Sequence, residues 1–497
     1  MKHAHRRIGY GFFVIVLAAR SASAYDGPIP QQIDKLLAAV KPGTMRVVVC
    51  VTDLASGRPV YERAADELMK PASNMKLLTV AAALDLLPPD FRYRTTLGIC
   101  GEDLVVVGSG DPSLGDPRLA QERNEPVTAI FHDWALKLQA KGISQIRGDL
   151  VIDDSAFEAL HYNPNWPANQ RQQWFSAPVG ALNFNNNCID VAVRPGPKVG
   201  DPALIEVIPP NSYVTIRNEC RTGSRSGGGG PTIARKGDTP VYVVSGTCRT
   251  AGKLQPTAVP DPGLFFAGAC RTSLAARGIR IEGQVRRQRV RDARGNLPAS
   301  CHVVAVYERR LKDILRRINR NSQNLFAECL LKTLGAQLAG TLTEAGTGSY
   351  ETGRRLVGLY LQKAGIARPA GVVIDDGSGF SPLNRVTARM LTQILTHMGR
   401  HPQSAAFRDS LAVPGEESTL KKRMKDLQGR VQAKTGYIAG VYALSGYAAG
   451  TSGATYCFSV LVNDAANGTA AKQLQDDICR VLVNEAQAAA GNSPRRR

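Results

Sequence analysis

The chain has 497 residues, 43% of them apolar and 21% charged, with ten cysteines and a formal net charge of +20. That length and apolar content support a sizeable core and exclude both a disordered polyelectrolyte and a miniature scaffold that depends on cross-links. The positive excess is either a solvated basic surface or a means of peripheral association with an anionic wall or membrane surface, and no nucleic-acid recognition motif accompanies it.

The first residues pair a basic patch (Lys2, Arg6, Arg7) with an apolar run from Ile8 to Ala19 and the small-residue stretch Ala22-Ser23-Ala24. This pattern predicts a secretory signal over 1–24, with cleavage before Tyr25 and a product that is secreted, periplasmic or facing the cell wall. A membrane anchor is the alternative, but the run is shorter than the roughly twenty residues a spanning helix needs. Residues 1–24 carry four cations and no acid, so the chain without them keeps +16. Export also permits disulfides among the ten cysteines, none of which has C-x-x-C spacing. Cys220 with Cys248, flanking a loop that contains Gly227 to Gly230, is the expected pair.

From Met45 the text reads as a hairpin-like start, Arg46 to Val51 followed by Asp53 to Gly57, and then as a buried helix over Leu77 to Leu87 stopped by Pro88-Pro89. Residues 91–303 have a different texture, with short strand patterns, turn signals and many Gly and Pro, densest over about 185–265. Mixed helix and strand patterns return from 304 to 490. They include a strand over Thr455 to Val462 and a last helix near Ala470 to Ala490, before a basic tail at 491–497. The simplest organisation is one catalytic domain, 25–90 plus 304–490, interrupted by a mostly β insertion with a nested lobe.

Three short motifs stand in a fixed order: Ser73-Asn74-Met75-Lys76, Ser322-Gln323-Asn324 and Lys434-Thr435-Gly436. Each arises by chance in chains of this length; together, S-x-x-K, S-x-N and K-T-G make the site of enzymes that acylate a serine with penicillin or a D-Ala-D-Ala peptide. Ser73 opens the predicted helix, and Lys76, three residues on, projects from the same face. Burial and a second cation, Lys434, would disfavour the charged form of Lys76 and let it take the Ser73 proton. Ser322 would pass a proton towards the leaving amine, and the Asn324 amide would hold Lys76 or a substrate carbonyl. Backbone N–H groups of Ser73 and Tyr437 are placed for an oxyanion hole. Lys434 and Thr435 would hold a terminal carboxylate, with Gly436 letting the substrate backbone lie close. Taken singly, these side chains also read as a helix cap, solvated charges and a turn amide.

Other schemes fit less well. Seven scattered histidines include no H-E-x-x-H, so a metal site has little support and no cofactor is expected. Asp376-Gly377-Ser378-Gly379 lacks the G-x-S-x-G pattern and reads as a turn. Trp166 and Trp174 lie in a polar, Pro- and Asn-rich stretch that suits a sugar or peptide groove, with local packing the preferred reading.

The chain resembles the class C low-molecular-mass penicillin-binding proteins, D-alanyl-D-alanine carboxypeptidases that can also act as endopeptidases. The marks are the long separation of Ser73-Asn74-Met75-Lys76 from Ser322-Gln323-Asn324, together with Asp376-Gly377-Ser378-Gly379, and Ala433-Lys434-Thr435-Gly436 followed by Gly440-Val441 and Leu444-Ser445-Gly446. The resemblance implies an α+β fold whose transpeptidase/β-lactamase-like catalytic domain sets a helical lobe beside a five-stranded sheet, interrupted by two nested domains. It also implies a serine D-Ala-D-Ala carboxypeptidase, DD-endopeptidase or both, acting on peptidoglycan stem peptides and acylated by β-lactam antibiotics. Val151-Ile152-Asp153-Asp154-Ser155 is similar to a family segment whose aspartate reaches the amino group of a substrate side chain, which implicates Asp153. Some members carry a carboxylate-pairing arginine where this chain has Pro382, and Arg385 is its candidate substitute. The rivals are a β-lactamase, disfavoured because no E-x-x-L-N segment follows Ser322, and a catalytically silent peptidoglycan-binding protein.

Overall fold

The computed structural model describes residues 28–41, 43–224, 228–292, 295–338 and 346–485. The expected signal at 1–24 and the tail at 491–497 lie outside the described residues.

The fold is α+β. Its central antiparallel sheet runs in the order Val431–Ile438, Val441–Ala449, Thr455–Asn463, Arg46–Asp53 and Pro59–Arg63, so the two ends of the chain build one sheet. Successive side chains of a strand point to opposite faces, and both faces here are covered. Val48, Cys50, Ala443, Tyr447 and Leu461 join a core with the helices Met75–Leu86 and Ala388–Arg400. Val49, Val51, Leu444, Phe458 and Val460 join another with the helices Pro28–Ala38 and Gly468–Val483. Double coverage explains why these strands read as near-continuous apolar runs.

The helix Met75–Leu86 is buried along nearly its whole length, as a segment apolar on every side must be. Leu87 is extended (φ −84°, ψ 152°), the conformation that Pro88 imposes on the residue before it. Around this helix pack Leu311–Asn319, Asn324–Leu338, Tyr350–Lys363 and Ala388–Arg400.

Between the two halves the chain leaves along Arg92–Cys100 and returns along His302–Arg310. These antiparallel neighbours share a second five-stranded sheet with Asp103–Val107, Leu150–Asp153 and Val285–Arg287. Smaller sheets occupy much of 188–258. Among the described residues three α-helices also lie in this segment, Pro117–Glu122, Ala129–Ala140 and Pro262–Ala275, and the last two pack Phe131, Trp134 and Phe266 together. The sequence texture of Gly, Pro and short strands gave no sign of them.

The disulfide joins Cys100 to Cys301, where the outgoing and returning strands meet. This corrects the expected pair. Cys220 and Cys248 are both unbonded because their short parallel strands place Cys248 opposite Thr222, out of register with Cys220.

Candidate active site

Ser73 sits in a single 3-10 turn, Ala72–Asn74, that leads into the helix Met75–Leu86. The turn is tightly held. Ala72 has φ +45°, and Gly379, itself at φ +82°, approaches so closely that a Cβ there would stand 1.8 Å from the Ala72 carbonyl oxygen. The Asn74 amide meets Ser445 Oγ at 2.6 Å, fastening the turn to the sheet. Ser322 lies between the helices Leu311–Asn319 and Asn324–Leu338 with φ +61°, a left-handed backbone that is strained for a serine. Lys434 and Thr435 lie within the edge strand Val431–Ile438, which runs through the whole triplet.

These segments converge. Lys76 Nζ stands 3.0 Å from Ser73 Oγ, 2.6 Å from Asn324 Oδ1 and 2.7 Å from the Ser378 carbonyl oxygen. Asn324 Nδ2 donates to the Phe175 carbonyl at 2.7 Å, which fixes the amide with its oxygen towards Lys76. Lys434 Nζ donates to Ser322 Oγ at 2.9 Å and to the Thr435 carbonyl at 2.6 Å. Thr435 Oγ1 donates to Thr419 Oγ1 at 2.8 Å.

The electrostatics favour a neutral base. Both lysines are wholly buried. Burial lowers Lys76 to about 7 against the opposing pull of the Glu328 and Asp376 carboxylates. Burial, and next the proximity of Lys76, holds Lys434 well below the ordinary lysine value. A neutral amine has two N–H donors and one lone pair. Asn324 Oδ1 and the Ser378 carbonyl can only accept, so they take both donors and leave the lone pair to the Ser73 hydroxyl.

Two contributors escaped the sequence reading. Glu328, one helical turn after Asn324, accepts from Gly377 N (2.9 Å) and Ser378 N (2.7 Å), and burial raises its carboxyl to about 8. Asp376 ties the same loop through Gly379 N, Ser381 N, Asn384 Nδ2 and the Trp166 indole. Asp376-Gly377-Ser378-Gly379 is therefore a loop, as expected, but one that presents a carbonyl to Lys76. Helical spacing from Asn324 was the only sequence signal for Glu328.

Ser73, Ser322, Asn324, Thr435 and Tyr437 open onto one cavity of about 670 Å3, with Lys70 and Thr419 at its wall. Trp174, Phe175, Phe380 and Pro382 supply an apolar side, with Gln170 among them and no carboxylate lining the cavity among the described residues. Trp166 packs internally against Phe380, whereas Trp174 is 40% exposed and lines the groove, contrary to the local-packing reading. Gly436 leaves room for the turn: a Cβ there would lie 3.1 Å from Ser73 N. Tyr437 is 65% exposed beside it.

Asp153 does not join this constellation. It is fully buried, one oxygen accepting from Ser155 N and Oγ and the other from Val290 N and Arg291 N at 2.7 Å each. A carboxylate so enclosed fastens the insertion and has no free face for a substrate amine. The Arg385 guanidinium turns to the Pro382 and Asn384 carbonyls, so it does not replace an arginine at 382.

The family model for D-Ala-D-Ala carboxypeptidase 3 (S13) matches residues 29–485. The chain belongs to this family. It is accordingly a serine peptidase of the D-Ala-D-Ala carboxypeptidase type. Within the S13 relatives it is 32% identical over 467 residues to a D-alanyl-D-alanine carboxypeptidase from an Actinomadura species, covering 88% of this chain and 81% of that protein. It is 26% identical to D-alanyl-D-alanine carboxypeptidase DacB of Haemophilus influenzae over 80% of this chain and 81% of that one. The crystal structure of penicillin binding protein 4 (dacB) from Haemophilus influenzae shares the fold, with TM-score 0.74 at 22% identity over 90% of this chain and 99% of the other.

Proposed function

We propose that this S13 peptidase acts outside the cytoplasm on peptidoglycan stem peptides ending in D-Ala-D-Ala, through an acyl-Ser73 intermediate. The observation that carries the reading is the three-way setting of Lys76 Nζ among Ser73 Oγ, Asn324 Oδ1 and the Ser378 carbonyl.

Lys76 accepts the Ser73 proton as the oxygen attacks the D-Ala carbonyl, and the backbone N–H groups of Ser73 and Tyr437 receive the developing oxyanion. Collapse breaks the amide bond, and the proton that Lys76 took from Ser73 passes to the leaving amine by way of the Ser322 hydroxyl, held in place by Lys434, which leaves Lys76 neutral again. Water then opens the ester with Lys76 again as base. The carboxylate of the leaving D-Ala is held by Lys434 and Thr435. The Trp174, Phe175 and Phe380 wall receives the side chain that precedes the scissile D-Ala, and its lack of a carboxylate favours an uncharged side chain over an ammonium. β-Lactam antibiotics enter the same cavity and acylate the same oxygen. No line of this mechanism requires a metal or cofactor.

Incubation of purified protein with muropeptides, followed by mass analysis, tests the reading: D-Ala release by the wild type and none by Ser73→Ala is the expected pair of results. A long-lived penicillin adduct distinguishes the peptidase from a β-lactamase, which turns the drug over. Binding to the wall polymer without D-Ala release or adduct would leave only the silent binding protein.

A further inference from the structure

Beside the catalytic cavity lies a second cleft of about 690 Å3 with a different character: eight cationic and four acidic side chains line it. The two cavities share Asn321, the residue before Ser322. They also share the loop 416–419. Glu417 borders the basic cleft and Thr419 the catalytic cavity, while Thr419 N donates to the Arg320 carbonyl and Thr419 Oγ1 accepts from Thr435. The basic cleft therefore begins next to Thr435 and Ser322, on the side where the leaving group departs.

Several of its cations are already neutralised by local carboxylates. Arg118 pairs with Glu122, Arg310 with Asp313, Arg317 with Asp116 and Arg320 with Glu416. Lys312 and Arg316 are different: they stand one turn apart on the exposed face of the helix Leu311–Asn319, with no carboxylate partner among the described residues. Asn321 and the 416–419 loop join the cleft that holds them to the catalytic cavity.

We infer that this cleft is a subsite for the leaving strand, in which Lys312 and Arg316 attract the carboxylates of a second stem peptide joined to the scissile D-Ala. This rests on the proposed function. When the leaving group is a single D-Ala, its one carboxylate ends at Lys434 and Thr435 and the cleft is not reached. When the amide nitrogen belongs to a cross-linked stem, the same bond breaks and the same proton transfers occur, but the departing amine carries a further peptide with its own carboxylates. That strand leaves past Asn321 and Thr419 and meets Lys312 and Arg316 in the adjoining cleft. The cleft thus favours endopeptidase action on cross-links over trimming of free ends.

The test compares kcat/KM for a cross-linked muropeptide dimer with that for the uncross-linked pentapeptide monomer, in the full chain, with the penicillin acylation rate as a measure of an intact catalytic site. In the double variant Lys312→Glu, Arg316→Glu the dimer-to-monomer ratio should fall about tenfold, the size expected from reversing two charges beside an anionic strand. Lys312→Gln, Arg316→Gln should give a smaller fall in the same direction. The reversal of two exposed lysines elsewhere, Lys141→Glu with Lys236→Glu, controls for net charge and should leave the ratio unchanged. Raising the salt concentration should lower the wild-type ratio. A ratio unmoved by Lys312→Glu, Arg316→Glu, or one that falls equally in the distant variant, would overturn the subsite. Loss of penicillin acylation in the wild type would instead strike the catalytic reading beneath it.

Discussion

Gly436 of the edge strand lies against the backbone of Ser73, so that a Cβ on residue 436 would stand 3.1 Å from Ser73 N and 2.9 Å from the Pro71 carbonyl oxygen. The contact sets the gap between the two backbone segments that would stabilise an oxyanion. Gly436→Ala must widen that gap, because the opposing atoms are main chain and have no flexible end to yield. Acylation by a chromogenic β-lactam should slow about tenfold to a hundredfold, the cost of a small misplacement of reacting groups. Thermal melting should fall only slightly. A melting loss without a rate loss would assign Gly436 to packing alone.

The depressed Lys76 value fixes the sign of the pH dependence. Below about 7 the amine is protonated and holds no lone pair for Ser73; above it the amine is free, so acylation should rise through pH 7 and then level off. Lys76→Arg retains a cation that does not lose its proton, and should lower acylation by about a thousandfold on the plateau above pH 7 and remove the rise through pH 7. Stopped-flow acylation between pH 5 and 9 measures both.

Glu328 offers a sharper separation of structure from chemistry. Its two oxygens hold Gly377 N and Ser378 N, and the Ser378 carbonyl in turn accepts from Lys76. Glu328→Gln turns one acceptor into a donor that faces an N–H, costing about 1–3 kcal/mol of stability. Acylation should drop as well, because Ser378 loses its anchor. Denaturant unfolding and acylation kinetics on the same sample reveal whether the two losses appear together.

Asp153 gives the opposite expectation. With Val290 N and Arg291 N both resting on one of its oxygens, Asp153→Asn should destabilise the protein by about 1–3 kcal/mol while leaving the preference between lysyl and acetyl-lysyl peptide substrates unchanged. A changed preference would return Asp153 to the substrate.

What was legible in the sequence is what lies within one segment. The apolar run after Ser73, closed by Pro88-Pro89, predicts a buried helix, and the structure has one over Met75–Leu86. The strand expected over Thr455 to Val462 is there as Thr455–Asn463. The features that escaped depend on distant segments meeting. Glu328 matters through a loop some fifty residues later, and Asp153 is enclosed by residues 290 and 291, which no local pattern announces. Cys100 and Cys301 meet across 201 residues because two strands are neighbours, a relationship of topology and not of spacing. Trp174 escaped for a related reason: whether an aromatic packs or lines a groove depends on what the remaining chain leaves open.

The central claim is that a neutral Lys76 makes Ser73 the acylated nucleophile. It is tested most directly by intact-protein mass after brief exposure to penicillin, with peptide mapping of the adduct. The account predicts one added acyl group on the peptide containing Ser73, and none in Ser73→Ala or, on the same timescale, in Lys76→Arg. An adduct on another residue, or one that forms equally fast without the Lys76 amine, would contradict it.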